Sequence, residues 1–74
     1  MKITGKVEHI TLYDDRVTYE VTAPQKRYRV CSDGRQAVKD AVFLREGQRI
    51  EISGMPKGKL IIVKDAKIDI SMPL

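Results

Sequence analysis

The sequence predicts an all-β fold with one short helix: a five-stranded barrel with the helix between the third and fourth strands. Three observations predict it. Three runs with β-type alternation come first, then one stretch with helical spacing, then two more β-type runs. Glycine and paired turn residues mark several of the boundaries. The first run slips phase partway along, as a strand does when it bends to close a sheet on itself.

The first strand is expected over residues 2–13. Ile3, Gly5 and Val7 share one face, but the next apolar residues are Ile10 and Leu12. One extra residue near Glu8–His9 must be absorbed, and a β-bulge absorbs it. The bend lets one long strand pair with both ends of the sheet, and Gly5 suits a place where the strand coils sharply. Asp14-Asp15 signals a turn. Residues 16–23 then alternate cleanly, with Val17, Tyr19, Val21 and Ala23 on one face and Arg16, Thr18, Glu20 and Thr22 on the other. Pro24-Gln25-Lys26 reverses the chain. In residues 27–32, Tyr28 and Val30 face one way and Arg27, Arg29 and Cys31 the other. Residues 16–32 thus read as a β-hairpin with the rings of Tyr19 and Tyr28 in the core.

Asp33-Gly34-Arg35-Gln36 has the form of a helix start, with Asp33 and Gln36 placed as a capping box. Ala37, Val38, Ala41, Val42 and Leu44 give an apolar stripe at helical spacing, and Gly47 is the expected stop. A helix of about three turns is too short to stand alone. It is expected to plug the open bottom of the barrel. The fourth strand is expected over 48–53, with Ile50 and Ile52 inward, and residues 54–59 read as a loop. The last strand is expected over 60–70. Leu60, Ile62, Ala66, Ile68 and Ile70 share one parity, and Ile61 and Val63 the other. The run Leu60–Val63 implies either burial on both faces or an exposed apolar edge that seeks a partner. The tail Ser-Met-Pro-Leu is expected to be loose. No repeat or linker is visible.

With 74 residues the chain makes one small domain. A domain this size hides only about 60% of its unfolded surface. Its single cysteine, Cys31, cannot form an intrachain disulfide, and one cysteine with one histidine, His9, cannot supply a four-ligand zinc site. Stability must come from an efficient closed core or from a second chain. No apolar run approaches the ~20 residues of a membrane span. The start has no signal-peptide core, so the expected compartment is the cytoplasm. The net charge of +4 favours an anionic partner, with nucleic acid the foremost candidate. The same charge also suits plain solubility.

The segment Phe43-Leu44-Arg45-Glu46-Gly47-Gln48-Arg49-Ile50-Glu51-Ile52-Ser53-Gly54 resembles the helix-to-fourth-strand segment of oligonucleotide/oligosaccharide-binding (OB) domains that bind nucleic acids. Gln48 stands where that pattern often has aspartate. Gly58 through Ile70 resembles their last strand, and Ile3-Thr4-Gly5-Lys6-Val7 is similar to their first. The resemblance covers nearly the whole chain as a pattern of aliphatics and glycines. It implies a ligand gripped across the second and third strands and their flanking loops. A small basic chain of this layout also resembles the bacterial translation initiation factor of the OB class, which binds ribosomal RNA.

On such a barrel the outward residues of the hairpin form the platform: Arg16, Thr18, Glu20, Thr22, Arg27, Arg29 and Cys31. Lys26, Arg27 and Arg29 put three cations on one edge, where arginine can pair with phosphate or lie on a base. A solvated strand face carries such charges too, and Glu20 can simply pair with Arg27 or Arg29. Lys57 and Lys59 flank Gly58 in a loop suited to phosphates, and Lys6 can extend the track. Tyr13 is the aromatic best placed to stack on a base. His9 reads as a surface residue at the bulge. Asp14-Asp15 reads as a solvated turn, with no further oxygen ligands near it in sequence. Cys31 lacks a histidine at a recognisable spacing, so nucleophilic catalysis is not expected. The reading is a non-enzyme without cofactor or metal that binds single-stranded nucleic acid, DNA ahead of RNA, largely irrespective of sequence. The sequence leaves open both a free-standing protein and a subunit of a replication, repair or translation machine. The rival reading is a protein-interaction or oligomerisation module that docks through the Leu60–Val63 strand.

Overall fold

The computed structural model describes residues 1–68. Its elements are β1 (Lys2–Leu12), β2 (Arg16–Thr22), β3 (Arg27–Asp33), α1 (Gly34–Phe43), β4 (Arg49–Lys57) and β5 (Leu60–Ile68). The strands close into a barrel in the order β1-β2-β3-β5-β4, and the helix lies between β3 and β4 in sequence. This is the five-stranded OB layout that the sequence predicts. Adjacent strands are antiparallel except β3 and β5, which pair in parallel through Val30–Ile61 and Cys31–Ile62. Ile70 and the tail 71–74 lie outside the described residues.

Closure depends on β1. Lys2 to Lys6 pair with β4, and Lys6 to Leu12 pair with β2. The register shifts between Glu8 and Thr11, where the bulge was expected, and His9 takes a φ of 56°. That conformation is uncommon for a residue with a side chain. It takes the amides of His9 and Ile10 out of the ladder, and unpaired amides are costly. Glu46 supplies the missing acceptor: its Oε1 accepts from His9 N–H at 3.0 Å and its Oε2 from Ile10 N–H at 2.8 Å. Gly5 allows the coil itself. A Cβ there would stand 2.5 Å from the Thr22 carbonyl oxygen and 2.8 Å from Val21 Cγ1, so only glycine lets β1 approach β2 this closely.

The core is built from the alternating faces. Val7, Val17, Tyr19, Val21, Val30, Ile50 and Ile52 are sealed from solvent, with Ile3, Leu44, Ile61 and Val63 close behind. Each such aliphatic side chain stabilises the fold by about 1.5–3 kcal/mol relative to exposure. Leu12 is exposed, although it still pairs with Val17 of β2. Tyr28 is only half-buried, packed at the edge of the core with the Lys26 ammonium 5.1 Å from its ring centroid.

β4 runs on to Lys57, so the expected loop shrinks to a Gly58-Lys59 turn, with Gly58 at φ 61°. β5 is paired on both sides, by β3 and by β4. Ile61 and Val63 fill the core, while Leu60 and Ile62 are half-buried on the outer side. A register shift between Ser53 and Gly54 then swaps the phase, and Ala66 and Ile68 pack inward instead. That shift explains why both parities of this strand are apolar.

The helix departs most from expectation. It buries Ala37 and Asp40, with Leu44 just beyond its end, and leaves Val38, Ala41, Val42 and Phe43 exposed. The buried positions 37, 40 and 44 keep helical spacing, but the face is turned by about one residue from the apolar stripe. A carboxylate can be buried there because it is satisfied. Asp40 Oδ2 accepts from the Ser32 hydroxyl, and Oδ1 accepts from Gln36 Nε2 at 2.9 Å. Gln36 is thereby withdrawn from the expected capping box, and Asp33 caps without a side-chain hydrogen bond. The helix ends at Phe43, before Gly47. Arg45 Nη1 donates to the carbonyls of Val42 and Leu44 at 3.0 and 2.8 Å, which satisfies part of that end. Gly47 instead extends the strand pairing, with its N–H 2.7 Å from the Val7 carbonyl oxygen. Among the described residues, no helix is long and apolar enough to cross a membrane.

Candidate nucleic-acid interface

The outer face of the β2–β3 hairpin carries two adjoining clefts. The first, about 460 Å³, is lined by residues that include Tyr13, Arg16, Thr18, Glu20, Arg29 and Leu60. The second, about 340 Å³, is lined by Lys26, Arg27, Tyr28, Arg29, Lys59 and Leu60 among others. Arg29 and Leu60 border both, so the two form one path across the hairpin. The path exists because β5 pairs with β3, which brings Leu60 and the Gly58-Lys59 turn alongside Arg29.

This path gathers six of the eight anticipated residues. Tyr13 and Arg16 stand together at one end, the guanidinium 4.9 Å from the ring centroid. The pair has a simple origin: Tyr13 N–H donates to the Arg16 carbonyl at 2.9 Å, which closes the Asp14-Asp15 turn. Lys26, Arg27 and Lys59 stand at the other end, with Arg29 between. The remaining two lie apart. Lys6 lines a separate cleft with Thr22, Pro24, Gly47 and Arg49, on the β1–β4 side, so it does not extend the path. Lys57 is exposed at the end of β4, opposite Leu60 in the ladder, and borders neither cleft.

Charge is distributed unevenly along the path. Among the described residues the ion pairs are Lys2–Glu51, His9–Glu20 and Arg27–Glu20. Arg16, Lys26, Arg29 and Lys59 therefore face solvent without a carboxylate partner within that set. Glu20 is the exception in the platform. Its Oε1 accepts from His9 Nδ1 at 2.6 Å and lies 3.8 Å from Arg27 Nε. The anticipated competition for Arg27 is thus present but long, and it spares Arg29. The same contact raises the His9 pKa above its ordinary value, chiefly through the hydrogen bond to Glu20 and then through its charge. Nearby, the Thr22 hydroxyl donates to Glu8 Oε1 at 2.7 Å and lowers the Glu8 pKa.

Cys31 points outward by parity, yet it is 8% exposed and forms part of the floor of the first cleft. Burial pushes its thiol pKa up, which is the opposite of what a nucleophilic cysteine needs. Sequence reasoning missed Leu60 as a bridge, His9 and Thr11 as lining residues, and Glu46 as the acceptor that sets the bulge. His9 and Thr11 carried a local signal, since both flank the phase slip. Leu60 and Glu46 act through pairings that join distant segments, and no local pattern marks them. No protein-family model matches this chain, and no curated protein does either.

Proposed function

We propose that the chain binds single-stranded nucleic acid along the path across β2 and β3. The observation that carries the reading is the continuity of the two clefts through Arg29 and Leu60. It lines up four cations without ion-pair partners among the described residues beside one exposed aromatic ring. Lys26, Arg27, Arg29 and Lys59 hold phosphates, and Tyr13 offers a stacking face backed by Arg16. Phosphates held by lysine and arginine confer no base preference of their own. A duplex is disfavoured, because a ring at 51% exposure at the cleft end can stack only on a base that is already unpaired.

The experiment is fluorescence anisotropy with labelled single-stranded DNA, single-stranded RNA and a duplex, over a salt series. About four phosphate contacts give a slope near −3 in log K against log salt for a single strand. The Arg27→Ala/Arg29→Ala variant should weaken binding and lower that slope by about 1.4. The DNA and RNA arms test the expected preference for DNA. Absence of single-strand binding at low salt would refute the reading.

A second reading, a protein-interaction module, is favoured by a different observation. Val38, Val42 and Phe43 are each more than half exposed on the outer side of α1. An apolar contact there persists in high salt, whereas a phosphate contact is lost.

A further inference from the structure

The two ends of the path offer different chemistry. The cations concentrate in the second cleft, where Lys26, Arg27, Arg29 and Lys59 converge. The first cleft has the Thr11 and Thr18 side chains, the Tyr13 ring and the Glu20 carboxylate. Arg16 and Arg29 border it as well, and Glu20 is the one carboxylate in its lining. At the Glu20 side of the cleft a phosphate would be repelled, whereas a neutral base would not.

From this division we propose that the first cleft holds a single base and that Glu20 reads its amino-bearing edge. The inference rests on single-strand binding as proposed above. Tyr13, with Arg16 across its ring, supplies the stacking wall. Glu20 supplies an acceptor with no donor of its own. Both contacts to Glu20 among the described residues fall on Oε1, from His9 and from Arg27. Oε2 therefore remains to accept from a ligand. The carboxylate is also held rather than free: its side chain is 19% exposed, and His9 fixes it from the bulge.

Base chemistry then sets the order of preference. Guanine presents two adjacent donors, N1–H and the N2 amino group, and matches a carboxylate best. Cytosine and adenine each present one amino group next to an acceptor. Thymine and uracil present a lone N3–H between two carbonyl oxygens, which the carboxylate repels. Guanine is the preferred occupant, and thymine or uracil the poorest.

The test uses short dT oligomers that carry one central guanine, cytosine, adenine or no substitution, bound to the full chain and to Glu20→Gln. Wild type should bind the guanine oligomer about tenfold more tightly than the all-thymine one, the range of a good base contact. In Glu20→Gln the amide both donates and accepts, so the guanine preference should fall to about twofold or less. Loss of the negative charge should at the same time leave the all-thymine oligomer bound as tightly or more tightly. A Glu20 that acted only through its charge would change every oligomer by one factor and keep the ratio. That result, or equal binding of all oligomers by wild type, overturns the base-reading role while single-strand binding stands. If no oligomer binds at low salt, both readings fall. Circular dichroism of Glu20→Gln confirms that the barrel is intact.

Discussion

Asp40 on the helix and Glu20 on the hairpin each accept from a neighbouring element, but their surroundings differ. Asp40 is sealed from solvent, and each of its oxygens has a protein donor, from Ser32 and Gln36. Glu20 lines an open cleft, and both of its contacts share one oxygen. A carboxylate whose lone pairs are taken by the protein holds the fold together. One with an oxygen that no protein donor takes is open to a ligand. The Asp40 region also carries a residual cost. The Tyr19 hydroxyl is buried without a hydrogen-bond partner among the described residues, and burial with Asp40 nearby holds its pKa well above the ordinary phenol value.

The comparison breaks most sharply at Asp40. Asp40→Ala removes the acceptor for the Ser32 hydroxyl and the Gln36 amide and leaves the former buried and unpaired. The expected loss is about 3 kcal/mol, the cost of leaving a buried hydroxyl unpaired together with the cavity beside it. That is a large share of a stability on the order of 5 kcal/mol. Urea unfolding followed by circular dichroism measures it as a lower midpoint at unchanged slope. A loss under about 1 kcal/mol would mean that packing of Ala37 and Leu44, not the carboxylate, fixes the helix.

Val21→Ala sets the scale for an ordinary core position. Val21 is fully buried within the apolar core. Removing two methyl groups should cost about 2 kcal/mol through lost transfer and a residual cavity. If Val21→Ala proved costlier than Asp40→Ala in the same urea series, the helix seam would be the weaker joint of the two.

The same contrast explains what was legible in the sequence. β2 was legible because burial there follows strict alternation, and Val17, Tyr19 and Val21 needed no distant information. β3 was less so, because Val30, Cys31 and Ser32 are buried in succession and Tyr28 is only half-buried. The bulge was legible from the phase slip between Val7 and Ile10. The helix face was not. Its orientation depends on Ser32 receiving Asp40 across the strand–helix junction, and a hydrophobicity pattern treats aspartate as a surface residue. Most of the platform was legible as charge on the outward parity. Lys6 stands where β1 passes from β4 to β2, before the bulge, and so borders a different cleft. The union of the two clefts was hidden, since it depends on the parallel pairing of β3 with β5.

The Glu20 side of the comparison is sharpened by pH. The His9 pKa is raised in the folded chain, so the His9–Glu20 contact stabilises most when the imidazole is protonated. That contribution is fully present below about pH 6.5, the ordinary imidazole value, and is lost as pH rises through the raised value. The groups bearing on His9 are Glu20, Glu8 and Arg27. Because His9 is exposed and screened, the effect is a shallow fall in Tm across neutral pH, smaller than either core substitution. His9→Ala should abolish the slope. A slope that persists in His9→Ala would assign the titration elsewhere, since this is the chain's single histidine.

The smallest effect is expected on the outer side of α1. Val38 and Val42 are 67% and 55% exposed, so Val38→Lys/Val42→Lys removes little buried area. Surface changes of this kind stay within about 0.5 kcal/mol. Helix propensity argues for a slight gain, because lysine loses less rotamer freedom in a helix than valine. The variant also separates the two functional readings, since nothing on the cleft path touches these positions. If nucleic acid is the ligand, the variant should bind it as wild type does, with at most a small electrostatic gain. If this face instead packs against a second copy, the wild type will unfold at a midpoint that rises with protein concentration, and the double lysine variant will lose that dependence. Buried in such a contact, the two valines would cost far more than 0.5 kcal/mol to replace, and the stability assay alone would report it.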